Sequence, residues 1–328
     1  MEEDITNDIS EAVKTLSIYV DKGSMTQRPE RKQESEIFNK PDFARFKSLK
    51  KPHQCNAKFM AVDCSTRTLK HANNWGVYLF RPAYAIAEKR KVDWGFQEKM
   101  RALIGPADLR EYTLRALRFE FESELALNLV EKLNIGDYVL LDGASYFGEK
   151  KGFQVSLFER CKHEKLTLLT LSKQSPTLHD ELGRDFQATA QSMINEPLWV
   201  YHPVAKANLN EHLYGDISLV KLCEESQRVF RLDVSAYLTN REVTDIVSPL
   251  TTVSDDPRCL GYPVPLWLAH EFSATSESKL LYWVEIIENL LKEKELYDRL
   301  SKEELACSFA DNMHGVKHVF KSELINYG

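Results

Sequence analysis

The stretch "YVLLDGASY" (138–146) is a run of strand-forming residues that ends in an aspartate followed by a glycine. A second stretch, "KFMAVDCST" (58–66), also leads apolar residues into an aspartate and then into small polar residues. An aspartate at a strand end is common in turns, and a carboxylate there can also bind a divalent cation. Taken singly, each stretch favours the turn. Two such strands in one chain favour a shared site for Asp63 and Asp142.

A third carboxylate is expected on the helix predicted between the two strands, over residues 107–133. At about 100° per residue this helix has one apolar stripe, formed by Leu114, Leu117, Phe121, Leu125 and Leu129. Arg118 lies in the middle of the stripe and Glu122 lies on its border, whereas Glu120 and Glu124 lie further toward solvent. A glutamate that faces the sheet needs a partner, either Arg118 or a metal ion. For any one of these glutamates, a solvated helix face is the commoner explanation.

Three carboxylates from two strand ends and one helix predict a site for one or two divalent cations. Their hard oxygen ligands suit Mg²⁺ or Mn²⁺. Such a site hydrolyses phosphodiesters because the metal activates a water and neutralises charge on the leaving oxygen. The hypothesis is therefore a metal-dependent phosphodiesterase with Asp63, Glu122 and Asp142 as its ligands.

A second cluster is predicted in "LGYPVPLWLAHEF" (260–272). Pro263 fixes a helix-compatible φ and disfavours the α conformation at the preceding residue, so a helix should begin directly after Tyr262. His270 then lies about two turns into that helix. The two side chains are expected to flank a cleft, where the histidine would transfer a proton or contact phosphate. The alternative is that both are packing residues of an amphipathic helix.

Composition places the chain among ordinary globular proteins, with 328 residues, 43% hydrophobic and 28% charged. The acidic start "MEEDITNDIS" lacks the features of a signal peptide, and no stretch is apolar enough to span a membrane. We therefore expect a cytoplasmic protein without membrane contact. The six scattered cysteines exclude a CxxC zinc motif and argue against a disulfide framework. A formal net charge of −6 argues against a broadly basic nucleic-acid wrapper.

The chain divides into an N-terminal extension, residues 1–54, and a predicted nuclease domain, residues 55–328. The extension should contain a short amphipathic helix over 5–18, followed by a loosely ordered polar segment. Residues 28–53 of this segment hold basic residues interleaved with Phe38, Phe43 and Phe46. That composition is typical of segments that bind single-stranded nucleic acid. It is equally typical of a solvated linker whose aromatic side chains pack on the domain.

Strands and helices alternate along the predicted domain, which indicates an α/β fold with a mixed sheet flanked by helices and a helical C-terminal part. The predicted strands are 57–63, 75–86, 137–142, 166–172, 197–203, 217–223 and 228–235. The predicted helices are 97–133 with a break at Gly105–Pro106, then 152–164, 180–194, 240–250, 263–273 and 277–298, with short pieces from 302.

Several motifs, and the order in which they occur, resemble those of the NurA family, which comprises DNA-repair nucleases with an RNase H-like fold. The resemblance covers roughly residues 56–298. It is carried by "FMAVDCST", a glutamate-bearing helix, "YVLLDGAS", "LLTLSKQS", "ESQRVFRLDV" and "GYPVPLWLAHEFSATSESKLLYWVEII". The spacing of Tyr262 and His270, preceded by two aspartate-ending strands, is its most telling part.

The resemblance implies a Mn²⁺- or Mg²⁺-dependent nuclease that acts on single-stranded DNA and duplex ends. It also implies a role in DNA end resection, a homodimer, and a HerA-type hexameric ATPase as partner. The family's metal-binding aspartates match Asp63 and Asp142, and its helix glutamate matches Glu122, with Glu124 as the alternative. Its C-terminal tyrosine and histidine match Tyr262 and His270. Two basic residues in recurrent segments would contact phosphate or form surface salt bridges, namely Lys173 and Arg231.

Two motifs depart from the family pattern. The first has Asp-Cys-Ser where Asp-Gly-Ser is usual, and the second has Asp-Gly-Ala-Ser where Asp-Gly-Ser-Leu is usual. Cys64 would be strained if the backbone there required a positive φ. These departures motivate a second hypothesis, a non-catalytic DNA-binding or scaffold subunit of an ATPase complex. A third hypothesis, an RNA nuclease of the same fold, differs by contacts to the 2′-hydroxyl that a sequence does not reveal.

Overall fold

A ten-stranded mixed sheet forms the centre of the protein in a computed structural model that describes residues 2–23, 36–89, 91–145, 152–175 and 177–313. The strands are β1 Ile37–Asn39, β2 Phe46–Ser48, β3 Phe59–His71, β4 Trp75–Glu88, β5 Lys91–Phe96, β6 Lys99–Ile104, β7 Tyr138–Asp142, β8 Thr167–Ser172, β9 Leu178–Asp180, β10 Trp199–Ala205, β11 Gly215–Lys221 and β12 Phe230–Ser235. Two of these strands, β1 and β9, pair with each other as a separate parallel sheet. The helices are α1 Glu2–Lys22, α2 Ala107–Leu129, α3 Gly152–His163, α4 Phe186–Met193, α5 Val243–Val247, α6 Val264–Ser273, α7 Glu277–Glu293 and α8 Tyr297–Met313.

The sheet order is β2-β10-β11-β12-β8-β7-β3-β4-β5, with β6 also paired to β4. Strands β3, β7 and β8 run parallel, and Val62 of β3 lies opposite Leu141 of β7. The next residue of each strand is an aspartate, so Asp63 and Asp142 lie side by side. Strand β12 runs antiparallel to β8, which brings its amino end to the same edge of the sheet. We call this edge, formed by Asp63, the carboxyl ends of β7 and β8 and the amino end of β12, the carboxylate edge.

Helices cover both faces of these central strands because side chains alternate between the faces along each strand. On one face, Met60 and Val62 pack against Leu125 of α2 and Leu157 of α3. On the opposite face, a second cluster joins Ala61 to Leu140, Leu266 and Ala269, so α6 packs there. Asp63 alternates with Val62 and therefore belongs to the α6 side.

One predicted helix is wrong in its first part. Residues 99–104 were expected to be helical as part of the 97–133 region, but they form β6 and pair with β4 from Trp75 to Phe80. This tertiary pairing overrides a local composition that suits a helix. The predicted break at Gly105–Pro106 is confirmed, since α2 begins at Ala107.

Smaller corrections concern three other helices. The helix predicted over 180–194 begins only at Phe186, because Asp185 caps it by accepting the Ala188 N–H, and residues 178–180 form β9 instead. The helix predicted over 277–298 ends at Glu293. In the 240–250 region α5 is short and continues as a 3₁₀ turn over Ser248–Val253.

The N-terminal helix is confirmed and is longer than predicted. Ile5, Ile9 and Leu16 of α1 are buried against Trp75 and Trp283. Residues 46–48 are not loosely ordered as expected, because they form β2, the strand that pairs with β10, and Phe46 packs edge-on against Trp199. The basic-aromatic stretch falls partly outside the described residues, at 28–35, and the domain boundary at residue 54 stays a prediction.

None of the helices within the described ranges is both long enough and apolar enough to cross a lipid bilayer.

Candidate metal centre at the carboxylate edge

Three potential ligand groups meet at the carboxylate edge. Oxygen atoms of Asp63 and Asp142 and a ring nitrogen of His270 all lie within 4.8 Å of one another. Nδ1 of His270 lies 2.7 Å from Oδ2 of Asp63. Helix α6 starts directly after Pro263, which places the histidine two turns along and over β3. The sequence predicted all three residues but assigned His270 to proton transfer or phosphate contact; the structure also places its ring nitrogen close enough to both aspartates to share a metal ion with them.

Asp63 is held as a carboxylate although it is almost fully buried. Its Oδ1 accepts the backbone N–H of Cys64 at 2.7 Å and lies 3.7 Å from the Arg118 guanidinium. Burial alone would raise the pKa of Asp63, but the hydrogen bond with His270 and the charge of Arg118 outweigh it, and the pKa falls below its usual value. A charged, buried carboxylate of this kind is a ready ligand for a cation.

The pKa of Asp142 is displaced in the opposite direction, above its usual value. Burial and the nearby charge of Asp63 raise its pKa, and Lys173, whose Nζ lies 2.9 Å from Oδ2, opposes this rise. The chain turns away immediately after it, at Gly143 with φ +124°, a conformation that favours glycine. Two neighbouring carboxylates with opposite pKa displacements form a like-charge pair, which a bound cation would stabilise.

Glu122 lies beside this pair on α2 and is 2% exposed. Its Oε1 lies 4.0 Å from Arg118, and its Oε2 has no hydrogen-bond partner among the described residues. Burial raises the pKa of Glu122 well above its usual value; the charges of Asp63 and Asp142 raise it further, while Arg118 opposes. The alternative residue Glu124 is more exposed and pairs with Lys99 at 2.7 Å. Of the two predicted glutamates, Glu122 is therefore the one that lies beside the cluster, although the ligand atoms that lie within 4.8 Å of one another do not include its oxygens.

Replacing Glu122 with glutamine is expected to stabilise the metal-free protein. Because the folded-state pKa is raised, the ionised carboxylate is destabilising, by about 1.4 kcal/mol for each unit of pKa displacement. Near or below the usual value of 4.5 the carboxyl is protonated in both states, so the two proteins should differ little. The stability gained by Glu122→Gln over the wild type should grow as pH rises above that value and level off above the folded-state pKa. Thermal unfolding in EDTA across pH 4–8 measures it.

Glu120→Gln, on the same helix, provides the matched control, and its melting temperature should follow that of the wild type at each pH. A Glu122→Gln protein that melts below the wild type at pH 7 would contradict the expected cost of the buried charge.

Tyr262 closes the cluster on the side of β12. Its ring is 5% exposed, packs 5.3 Å from the ring of Phe230, and has the Lys173 ammonium 5.6 Å from its centroid. Its hydroxyl lies near the Asp142 carboxylate and interacts with it through charge and hydrogen bonding. Burial, together with the charges of Asp142 and Asp63, raises the pKa of this phenol well above its usual value. Tyr262 is therefore a neutral O–H donor at the edge of the site.

The two predicted phosphate contacts differ in position. Lys173 is partly exposed beside Asp142, where a phosphate could reach it. Arg231 is 2% exposed, and its guanidinium donates two hydrogen bonds to Asp233, at 2.8 and 3.0 Å. A buried, doubly bonded guanidinium is not available to DNA and does not form a surface salt bridge either, so both predictions for Arg231 are wrong.

The substitution in the first motif causes no backbone strain, because Cys64 is extended within β3. An open groove of about 290 Å³ adjoins it and is lined by Asp63, His270, Arg67, Ser273 and neighbouring residues. Sequence reasoning missed this groove because its lining comes from β3, α2 and the carboxyl end of α6, whose approach depends on the fold.

No protein-family model matches the sequence, and a search of curated proteins returns no match. Solved structures do match. The NurA nuclease from Sulfolobus solfataricus is 18% identical in sequence and has a TM-score of 0.55, covering 89% of this chain and 95% of its own. Another NurA structure has a TM-score of 0.53 at 10% identity, over 77% of this chain and 92% of its own. The predicted RNase H-like class is thereby confirmed, and the chain has the fold of the NurA nucleases.

Proposed function

We propose that this protein is a metal-dependent deoxyribonuclease. The observation that carries the proposal is the convergence of Asp63, Asp142 and His270 ligand atoms within 4.8 Å at one edge of the sheet. The structures with the same fold are named nucleases, which makes phosphodiester hydrolysis the reaction that best fits this cluster.

The residues present fit a divalent cation. Two carboxylates and an imidazole supply ligands, and the orphaned Oε2 of buried Glu122 is an unsatisfied acceptor next to them. Oxygen-rich donor sets suit Mg²⁺ or Mn²⁺. When bound, such an ion activates a water and neutralises charge on the leaving oxygen. The proposed ligand set is Asp63, Glu122 and Asp142, with His270 close enough to join it.

The remaining side chains position the substrate. Tyr262 would donate a hydrogen bond to a phosphate oxygen or to the oxygen of the attacking water and so orient it, and Lys173 would place positive charge beside the same phosphate. The contact between Nδ1 of His270 and Asp63 fixes the imidazole ring, which leaves Nε2 free to accept or deliver a proton. Arg118 would hold Asp63 in its carboxylate form and would oppose the rise in the pKa of Glu122.

Further parts of the proposal rest on the sequence resemblance. We infer that the substrates are single-stranded DNA and duplex ends, that the protein acts in DNA end resection in the cytoplasm, and that it works as a homodimer with a HerA-type hexameric ATPase. A net charge of −6 supports a restricted DNA path that a second subunit or an ATPase ring completes. Equal salt slopes of DNA binding with and without the ATPase would argue against this path.

The testing experiment is cleavage of end-labelled single-stranded DNA by the wild-type protein in Mn²⁺, Mg²⁺ or EDTA. We expect cleavage with metal and none with EDTA. The competing hypothesis of a non-catalytic scaffold predicts no cleavage under any condition. It also predicts that calorimetric titration with Mn²⁺ gives no saturable binding heat in the wild type that is lost in Asp142→Asn.

A further inference from the structure

A second groove, of about 490 Å³, lies at the carboxylate edge on the side away from His270. Its wall combines the residues that follow β8, one side of α4, and the residues that precede β12. Its lining is rich in side-chain amides and contains two cationic residues. We call it the amide groove and define it by Lys173, Gln174, Gln187, Gln191, Gln227 and Arg228.

The amide groove is continuous with the metal cluster. Ser172, the last residue of β8, lies opposite Arg231 near the start of β12, so the residues after one strand and before the other meet at this edge. Lys173 belongs to both sites, since it lines the groove and its Nζ lies 2.9 Å from Asp142. Phe230, which also lines the groove, packs against Tyr262. A polymeric ligand bound at the metal cluster would therefore enter the amide groove beside Lys173.

The glutamines make the wall rigid and neutral. The side-chain N–H groups of Gln187 and Gln191 donate to the backbone carbonyls of Val229 and Gln227, which fastens the segment before β12 to α4. Each of these side chains keeps its carbonyl oxygen as an acceptor. Amides that offer both donors and acceptors can satisfy any base or sugar without selecting a sequence.

Arg228 supplies an uncommitted positive charge. Its backbone N–H donates to Oγ of Ser226 at 3.0 Å, which fixes the loop. Among the described residues its guanidinium has no ion-pair or hydrogen-bond partner. The carboxylate that also lines the groove, Asp185, accepts the Ala188 N–H at the start of α4. The groove lining therefore has two cations, Lys173 and Arg228, against the carboxylate of Asp185, and because Lys173 already pairs with Asp142, Arg228 is the charge that favours an anionic occupant.

We infer that the amide groove binds the single strand next to the scissile phosphate, with Arg228 contacting the backbone phosphate of a flanking nucleotide. This inference rests on the proposed nuclease function and adds the direction in which the strand leaves the metal cluster. The volume of the groove lies within the range of about 300–1,000 Å³ that is usual for ligand sites. Recognition would be independent of sequence, since it uses charge and amides.

The test is the salt dependence of binding, measured by fluorescence anisotropy of a labelled DNA oligonucleotide in EDTA, where no cleavage occurs. Each phosphate contact contributes about 0.7 to the slope of log K against log[salt] for single strands. Arg228→Gln should lower the slope by about 0.7, which corresponds to an affinity loss of about fivefold at 0.1 M salt and almost none at 1 M. Arg228→Lys should keep the wild-type slope because it keeps the charge.

Arg160→Gln is the charge-matched control, since Arg160 lies on α3 and pairs with Glu164 at 3.2 Å. It should leave the slope unchanged. A wild-type salt slope in Arg228→Gln would overturn the groove assignment. An equal loss of slope in Arg160→Gln would also overturn it, as would a slope that depends on Arg228 for RNA but not for DNA. Failure of the nuclease proposal looks different: no metal-dependent cleavage by the wild type, whatever the slopes.

Discussion

The Asp142→Asn protein is expected to lose metal-dependent DNA cleavage by about 10³-fold or more. The substitution removes a ligand charge from the cluster, and metal stabilisation of the transition state supplies several kcal/mol, each 1.36 kcal/mol being a factor of ten in rate. Its fold should be retained. Burial and repulsion by Asp63 raise the pKa of Asp142 against the opposing effect of Lys173, so the neutral amide removes an unfavourable buried charge, and the melting temperature in EDTA should not fall.

Single-turnover cleavage of a labelled strand in Mn²⁺, with enzyme in excess, measures the chemical step. Asp93→Asn is the matched control, because Asp93 is a half-exposed aspartate on β5 that pairs with Lys132, and it should cleave at the wild-type rate. Wild-type cleavage by Asp142→Asn would show that the paired aspartates of β3 and β7 do not form the catalytic site. A large loss in the Asp93 variant would show that acidic substitutions act nonspecifically.

Arg231→Leu is expected to lower the free energy of unfolding by about 3–5 kcal/mol, because it leaves the buried carboxylate of Asp233 without its cationic partner. The effect should extend to the active site. Asp233 also accepts the N–H and hydroxyl of Ser145, at 2.8 and 3.0 Å. This ion pair therefore anchors the segment that follows Asp142.

Urea unfolding of the variant provides the measurement, with Arg115→Leu as the control. Arg115 pairs with Glu111 on the exposed side of α2, and loss of such a pair changes stability by no more than about 1 kcal/mol. The double variant Arg231→Leu/Asp233→Leu should recover part of the loss, since it removes the unpaired charge. An Arg231→Leu protein of wild-type stability with weakened DNA binding would restore the phosphate-contact interpretation.

Much of the carboxylate edge was predictable from local patterns. The apolar runs before Asp63 and Asp142 predict two strands that end in acids. Strand β7 does end at Asp142, whereas β3 continues to His71, so Asp63 lies within its strand and meets Asp142 through the parallel pairing of β3 with β7. Pro263 predicts the start of α6, and two helical turns then place His270 over the sheet. These inferences depend on backbone constraints and side-chain alternation, both of which a sequence expresses directly.

Other features depend on which segments meet in three dimensions. Residues 99–104 have a composition that suits a helix, yet they are a strand because β4 offers them hydrogen bonds along its length. The sequence "VFRLDV" places Arg231 and Asp233 two residues apart in a strand, so both point to one face, but burial beneath the carboxylate edge follows from β8 and β11 on either side. The amide groove is likewise assembled from three separate segments.

The distance along the chain between the cluster's members has a consequence for how the protein is made. Asp63 and His270 are 207 residues apart, and Asp142 reaches them only through the parallel pairing of β3 with β7. Contacts of such long range require closure of large loops, which slows their formation. A chain still emerging from the ribosome carries both aspartates but lacks α6 and its histidine. Hydrolytic capacity would therefore arise only at the end of synthesis and folding, which would protect nearby nucleic acid from partly folded chains.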